Sequence, residues 1–127
     1  MKLAILVILA ALFLTGCGSA QPKNSYRQVT AAQAQTIMEQ ESGYIILDVR
    51  TPEEYASGHI PGAINIPNEN IDIRQLPELP DKDQMILVYC RSGNRSKQAS
   101  EKLAALGYTN VVEFGGIRDW PGEVVSG

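Results

Sequence analysis

The stretch Met85–Ser100, M-I-L-V-Y-C-R-S-G-N-R-S-K-Q-A-S, constrains this chain more than any other. Met85 to Tyr89 is a short apolar run with β-branched residues and an aromatic, the pattern of a buried strand. Cys90 follows, then a small glycine-containing loop. From Ser96 the pattern turns helical. Ala99, Leu103 and Leu106 recur at helical spacing, and Gly107 stands where a C-terminal cap belongs. Backbone N–H groups in such a loop can turn inward, and the helix N-terminus adds partial positive charge. A sulfur at the start of the loop lies in that field, which favours thiolate over thiol. Arg91 and Arg95 add formal charge to the same loop. The bland alternative is a buried cysteine acting as a small hydrophobe. The polar, doubly cationic run R-S-G-N-R-S directly after it argues for the reactive reading.

The chain opens with an address. Met1-Lys2 is basic, and Leu3 to Leu14 is unbroken apolar sequence. That run is short of the roughly 20 residues a bilayer span needs, but it fits the core of a signal peptide. Leu14-Thr15-Gly16-Cys17 then resembles a bacterial lipobox, in which cleavage precedes the cysteine and the cysteine carries lipid. Residues 1–16 are expected to be the signal peptide, 17–25 a lipidated tether and 26–127 one folded domain. The resemblance implies a protein anchored through Cys17 to a membrane of the bacterial cell envelope, on the extracytoplasmic side. An ordinary signal peptide cut after Ala20, or an uncleaved anchor, are the alternatives.

Removing the leader leaves ten basic against fourteen acidic residues, which argues against nucleic acid as a partner. With Cys17 lipidated, the domain holds one cysteine, Cys90, and no internal disulfide. Dithiol exchange lacks its second thiol. One cysteine and one histidine, His59, do not make a metal site. No cofactor is expected, and the domain is expected to be a monomer.

Along the domain, Arg27-Gln28-Val29 reads as a first strand. Thr30 to Gln33 reads as a capping box opening a helix to about Glu41. Tyr44 to Asp48 is a near-continuous apolar run, the mark of a strand buried on both faces. Thr51-Pro52-Glu53-Glu54 is a second helix start, with Thr51 as N-cap and Pro52 at the first position. A short strand is expected around Ala63 to Ile66, and a short helix in the stretch holding Ile71, Ile73 and Leu76. A last strand, Asn110 to Phe114, precedes a Gly115-Gly116 turn and a helical turn from Ile117 to Trp120. Alternating strands and helices predict an open α/β sheet of about five mostly parallel strands, with helices on both faces. Such sheets bind ligands outside the carboxyl ends of their strands. Asp48 and Cys90 each end a strand and so share that rim.

Three segments carry a family resemblance: D-V-R-T-P-E-E-Y-A-S-G-H-I-P-G-A-I-N-I-P (Asp48 to Pro67), V-Y-C-R-S-G-N-R-S (Val88 to Ser96) and G-G-I-R-D-W (Gly115 to Trp120). They resemble the single-domain rhodaneses, which are sulfurtransferases. The resemblance implies that Cys90 takes the outer sulfur of an anionic donor such as thiosulfate and holds it as a persulfide. Cyanide or a thiol then accepts it. It implies that the amides of Arg91, Ser92, Gly93, Asn94, Arg95 and Ser96 surround that sulfur. Asp48 and Arg50 are supporting residues, with Arg50 expected to pair with Glu54. His59 is read as structural and Trp120 as a packing anchor. The two loop arginines look more like those of thiosulfate users than of mercaptopyruvate users.

Two rivals stand beside this reading. Phosphatases and arsenate reductases of related fold place five residues between cysteine and arginine. Here four separate Cys90 from Arg95, a tighter loop with less room for a phosphoryl group. A rhodanese fold can also serve as a non-catalytic binding module, although such modules often lose the cysteine kept here.

Overall fold

Three apolar runs, too rich in buried positions for any edge, form the centre of one parallel sheet. The computed structural model describes residues 25–72 and 75–127. Its elements are β1 (Arg27–Gln28), α1 (Ala31–Gln40), β2 (Ile45–Asp48), α2 (Pro52–Ser57), β3 (Ile64–Asn65), β4 (Ile86–Cys90), α3 (Asn94–Ala105) and β5 (Val111–Gly116). Short 3-10 turns occupy Asn68–Asn70 and Ile117–Asp119. The strand order is β1-β5-β4-β2-β3, and every pairing is parallel. The predicted open α/β sheet of about five strands is the fold observed.

Strand alternation sends successive side chains to opposite faces. Along β4, Ile86, Val88 and Cys90 enter the core shared with Ala99 and Leu103 of α3. Leu87 and Tyr89 enter the other core, with Ala31 and Ala34 of α1. Helices therefore cover both faces. Each fully buried aliphatic or aromatic side chain contributes about 1.5–3 kcal/mol, so a charge within these strands needs a local reason to be there.

Local chemistry fixes the helix ends. Thr30 and Gln33 form the predicted capping box, and so do Thr51 and Glu54, with Pro52 at the first helical position. Gly107 lies at φ +99°, where a side chain would be strained. There its N–H donates to the Ala104 carbonyl while that of Tyr108 donates to Leu103, a Schellman closure of α3.

Other expectations shift. The short helix foreseen near Ile71 and Leu76 is the 3-10 turn Asn68–Asn70, just ahead of them, because Pro67 starts the turn. Ile73 lies outside the described residues. Gly115 and Gly116 do not leave the sheet at once. They extend β5, whose register with β4 shifts between Val88 and Cys90 so that Cys90 faces Gly116. Residues 1–24, on which the expected leader, Cys17 and most of the expected tether fall, also lie outside the described residues. No described helix is long and apolar enough to cross a membrane.

Candidate active site

The buried strand β4 carries Cys90 to the carboxyl rim and turns its sulfur toward α3. The helix begins at Asn94, two residues earlier than Ser96, so Arg91–Gly93 alone form the loop. Gly93 at φ +121° makes that short reversal possible. Its N–H donates to Cys90 Sγ at 3.0 Å. The Cys90 thiol donates to Ser96 Oγ at 3.5 Å. Burial pushes the Cys90 thiol up. The Ser96 hydroxyl and the backbone N–H groups of Ser96, Gly93 and Ser92 outweigh it, so the thiol sits below its ordinary value. This is the microenvironment of a reactive rather than an inert cysteine.

Arg91, Ser92 and Asn94 are exposed at the mouth of the loop, while Gly93 and Ser96 are buried under it. The loop lies directly on β5. A Cβ at Gly116 would overlap the Arg91 carbonyl, which also accepts the Arg118 N–H at 3.3 Å. Only glycine allows this approach.

Arg95 stands on the first turn of α3, with its guanidinium on Glu54. Nη1 donates to Oε1 at 2.7 Å and Nη2 to Oε2 at 3.1 Å. Hydrogen bonding from Arg95 leads the effects that pull the Glu54 carboxyl down to about 2. The expected Arg50–Glu54 pair is therefore incorrect. Arg50 turns to Asp48, with Nη2 donating to Oδ2 at 2.6 Å and its backbone N–H to Oδ1 at 2.9 Å. The reason is positional: Arg50 precedes the N-cap Thr51, so it has no helical i,i+4 neighbour. Glu54 lies inside the helix, and its Oε1 also accepts the Thr51 N–H at 3.0 Å.

Asp48 is fully buried on the α1 side of the rim, where the Tyr89 hydroxyl donates to Oδ2 at 2.7 Å. Burial holds the Tyr89 phenol protonated, well above its usual range. That hydroxyl accepts the Ile60 N–H at 3.1 Å, and Arg50 Nη2 also donates to the Gly58 carbonyl. The assembly braces the segment that follows α2. His59 stacks on Tyr55 with ring centroids 3.8 Å apart and bonds the Tyr55 carbonyl through Nδ1, a packing role. Trp120 packs on Phe114 at 5.9 Å, as an anchor would. Among the described residues no group of three or more His, Cys, Asp or Glu could hold a metal ion.

One residue escaped the sequence. Glu113, in the middle of β5, is 2 % exposed and bonded to Ser96. A carboxylate inside the apolar run N-V-V-E-F-G was the available signal, because a buried acid needs donors and those donors lie under the loop.

An open parallel sheet with an activated cysteine at its carboxyl rim, cradled by a short amide loop, defines a site for nucleophilic cysteine chemistry. The comparisons make the family specific. Residues 30–123 match the model of the rhodanese-like domain. The chain is similar to the thiosulfate sulfurtransferase PspE of Escherichia coli (strain K12), 45 % identical over 73 residues covering 58 % of this chain and 70 % of the relative. It is similar to the thiosulfate sulfurtransferase GlpE of Pseudomonas fluorescens, 31 % identical over 82 % of this chain and 96 % of the relative. Among solved structures, a rhodanese with anions from E. coli superposes with a TM-score of 0.61, 42 % identity and coverage of 66 % of this chain and 99 % of that one. The chain belongs to the rhodanese-like domain family and is a rhodanese-like enzyme of the sulfurtransferase kind.

Proposed function

We propose that this protein moves a sulfane sulfur from thiosulfate, or a related anionic donor, to cyanide or a thiol through a persulfide on Cys90. The Cys90 thiolate attacks the outer sulfur of the donor. The donor S–S bond breaks, and sulfite leaves with its electron pair. The new outer sulfur carries the negative charge and lies among the loop N–H groups. The acceptor then attacks that sulfur and returns Cys90 to thiolate. The observation that carries this reading is the Cys90 sulfur itself, held by the Gly93 N–H at 3.0 Å and lowered in pKa by its loop.

Arg91, Ser92 and Asn94 form the exposed approach for the donor, while Gly93 and Ser96 hold the cradle. Arg95 acts through its field on the sulfur, since its guanidinium is committed to Glu54. That commitment disfavours the phosphatase reading, which needs a free arginine fork facing the ligand. The protein is a monomer anchored to the cell envelope by lipid on Cys17, with residues 1–16 removed and 17–25 as tether. A Cys17→Ser chain that is processed and anchored like wild type would disprove the anchor.

The test of the chemistry is paired. The full-length protein is offered thiosulfate, and the Cys90 peptide is examined by mass spectrometry for one added sulfur. Thiocyanate formation is then followed with cyanide, and hydrolysis of an aryl phosphate is measured separately. One sulfur on Cys90 and thiocyanate in solution are expected. Phosphate release without sulfur transfer moves the protein to the phosphatases. Neither activity, with no sulfur on Cys90, makes it a binding module.

A further inference from the structure

Glu113 is a buried carboxylate for which the sulfur chemistry above has no use. It leaves β5 on the face that receives Cys90 from β4, under the first turn of α3. The Ser96 hydroxyl donates to its Oε2 at 2.5 Å, and the Gly115 N–H donates to the same oxygen at 2.8 Å. The Gln28 amide reaches Oε1 at 3.3 Å. Among the described residues no cation lies within ion-pair distance of it. Ser96 Oγ also lies 3.0 Å from the Gly93 carbonyl and 3.3 Å from that of Gly115. A hydroxyl has one proton to give. Ser96 is thus surrounded by acceptors, and the remaining donor directed at it is the Cys90 thiol, at 3.5 Å. The result is one directed chain, from Cys90 S–H to Ser96 O–H to the Glu113 carboxylate.

We propose that Glu113 is a positioning residue for Cys90: through the Ser96 hydroxyl the two groups share one proton, and the site carries a single negative charge on either carboxylate or sulfur. The step balances without a co-reactant. The Cys90 S–H bond breaks and its electron pair stays on sulfur. That proton bonds to Ser96 Oγ, whose own proton passes to Glu113 Oε2. The products are a thiolate, an unchanged serine and a neutral carboxylic acid. Nothing is oxidised or reduced. The physical advantage lies in charge conservation. A buried site resists a second negative charge, and here the thiolate appears by relocating one already present. Two ionisable groups coupled this way titrate as a pair, in two steps separated by a plateau of constant charge.

Other groups face the pair. Gln28 and the Tyr26 phenol lie on the β1 side, with Glu101 of α3 beyond Tyr26. Arg95 of α3 is close enough to feel the sulfur, with Glu54 and Asp48 in turn near Arg95. Arg91 and Arg118 flank the loop through their backbone contact. All are present in wild type and variants alike, so a difference between profiles reports Glu113 or Ser96.

This inference rests on the reading of Cys90 as the reacting sulfur, but its test needs no sulfur donor. Full-length protein is alkylated with iodoacetamide from about pH 3 to about pH 10, the span over which carboxyl and thiol groups titrate, and the Cys90 peptide is quantified by mass spectrometry. Wild type should rise in two steps, with a plateau between them that is flat to within about twofold. Glu113→Gln keeps the shape but cannot take the proton, so it should give one step, lying below the upper step of wild type. Ser96→Ala, which removes the bridge and leaves the carboxylate, should also give one step. Superimposable wild-type and Glu113→Gln profiles overturn the proposal, as does a plateau that survives in Ser96→Ala. Should Glu113→Gln fail to fold, the 13C resonance of the wild-type Glu113 carboxyl decides. It should move at the same two pH values as alkylation, and a single unlinked step overturns the proposal. A protein with the coupled profile that takes up no sulfur from thiosulfate keeps the shared proton and loses the transferase reading. The opposite result loses the shared proton alone.

Discussion

Asp48 and Cys90 end neighbouring strands of one sheet, on the same rim, and face opposite sides of it. Asp48 is saturated. It accepts from the Arg50 backbone N–H, from Nε and Nη2 of the same arginine, and from the Tyr89 hydroxyl. Cys90 is surrounded by the N–H groups of a tight loop whose Arg91 and Ser92, with Asn94 after them, are exposed. An anion whose acceptor capacity is filled by fixed donors holds structure together. A sulfur ringed by loop N–H groups, beneath exposed polar residues, has donors that an added negative charge can still use. Position in the fold is common to both sites, and the distribution of donors separates their tasks.

The strongest way to break that comparison is at the sulfur. Cys90→Ser should lower thiosulfate-to-cyanide sulfur transfer by about a thousandfold or more, as loss of a nucleophile does, with circular dichroism and melting temperature near those of wild type. A serine enzyme that still makes thiocyanate would place the chemistry elsewhere. At the brace the expected loss is in stability. Asp48→Asn leaves the buried Arg50 charge uncompensated, and urea unfolding should show a decrease of about 3–5 kcal/mol. The folded fraction should keep its alkylation rate at Cys90, and a large loss of that rate would merge the two sites into one.

Gly116→Ala sharpens the contrast from the loop side. Its methyl must displace the Arg91 carbonyl, and about 1 Å of misplacement suffices for roughly a hundredfold loss of kcat/KM. An unchanged rate would mean that the loop tolerates movement. The smallest effect belongs to the Glu54–Arg95 clamp. The folded pKa of Glu54, about 2, lies below its unfolded value of 4.5. The pair's stabilisation is therefore complete above the unfolded value and is lost as pH falls toward 2. Glu54→Gln should lower stability at neutral pH by about 0.5–1 kcal/mol, the scale of a partly exposed pair. The difference from wild type should shrink on acidification, and a constant difference would assign the loss to the cap at Thr51 instead.

Much of this arrangement was legible because it is local. Thr30–Gln33 and Thr51–Glu54 encode their own caps at fixed spacing, and an apolar run before Cys90 places it at a strand end. What escaped depends on contacts between distant segments. Glu54 finds Arg95 across 41 residues, and no spacing rule chooses it over Arg50. Glu113 stands out as an acid in an apolar run, but its partners Ser96 and Gln28 lie 17 and 85 residues away and only the fold brings them to it. The early start of α3 at Asn94 follows from Gly93, whose positive φ ends the loop sooner than side-chain periodicity indicates.

The parallel sheet has a consequence for orientation. Because β1 runs alongside β5 in the same direction, the described chain enters the domain at the amino end of the sheet, while Cys90 lies at the carboxyl end. The pole where the described chain enters and the pole where the sulfur lies are thus at opposite ends of the sheet.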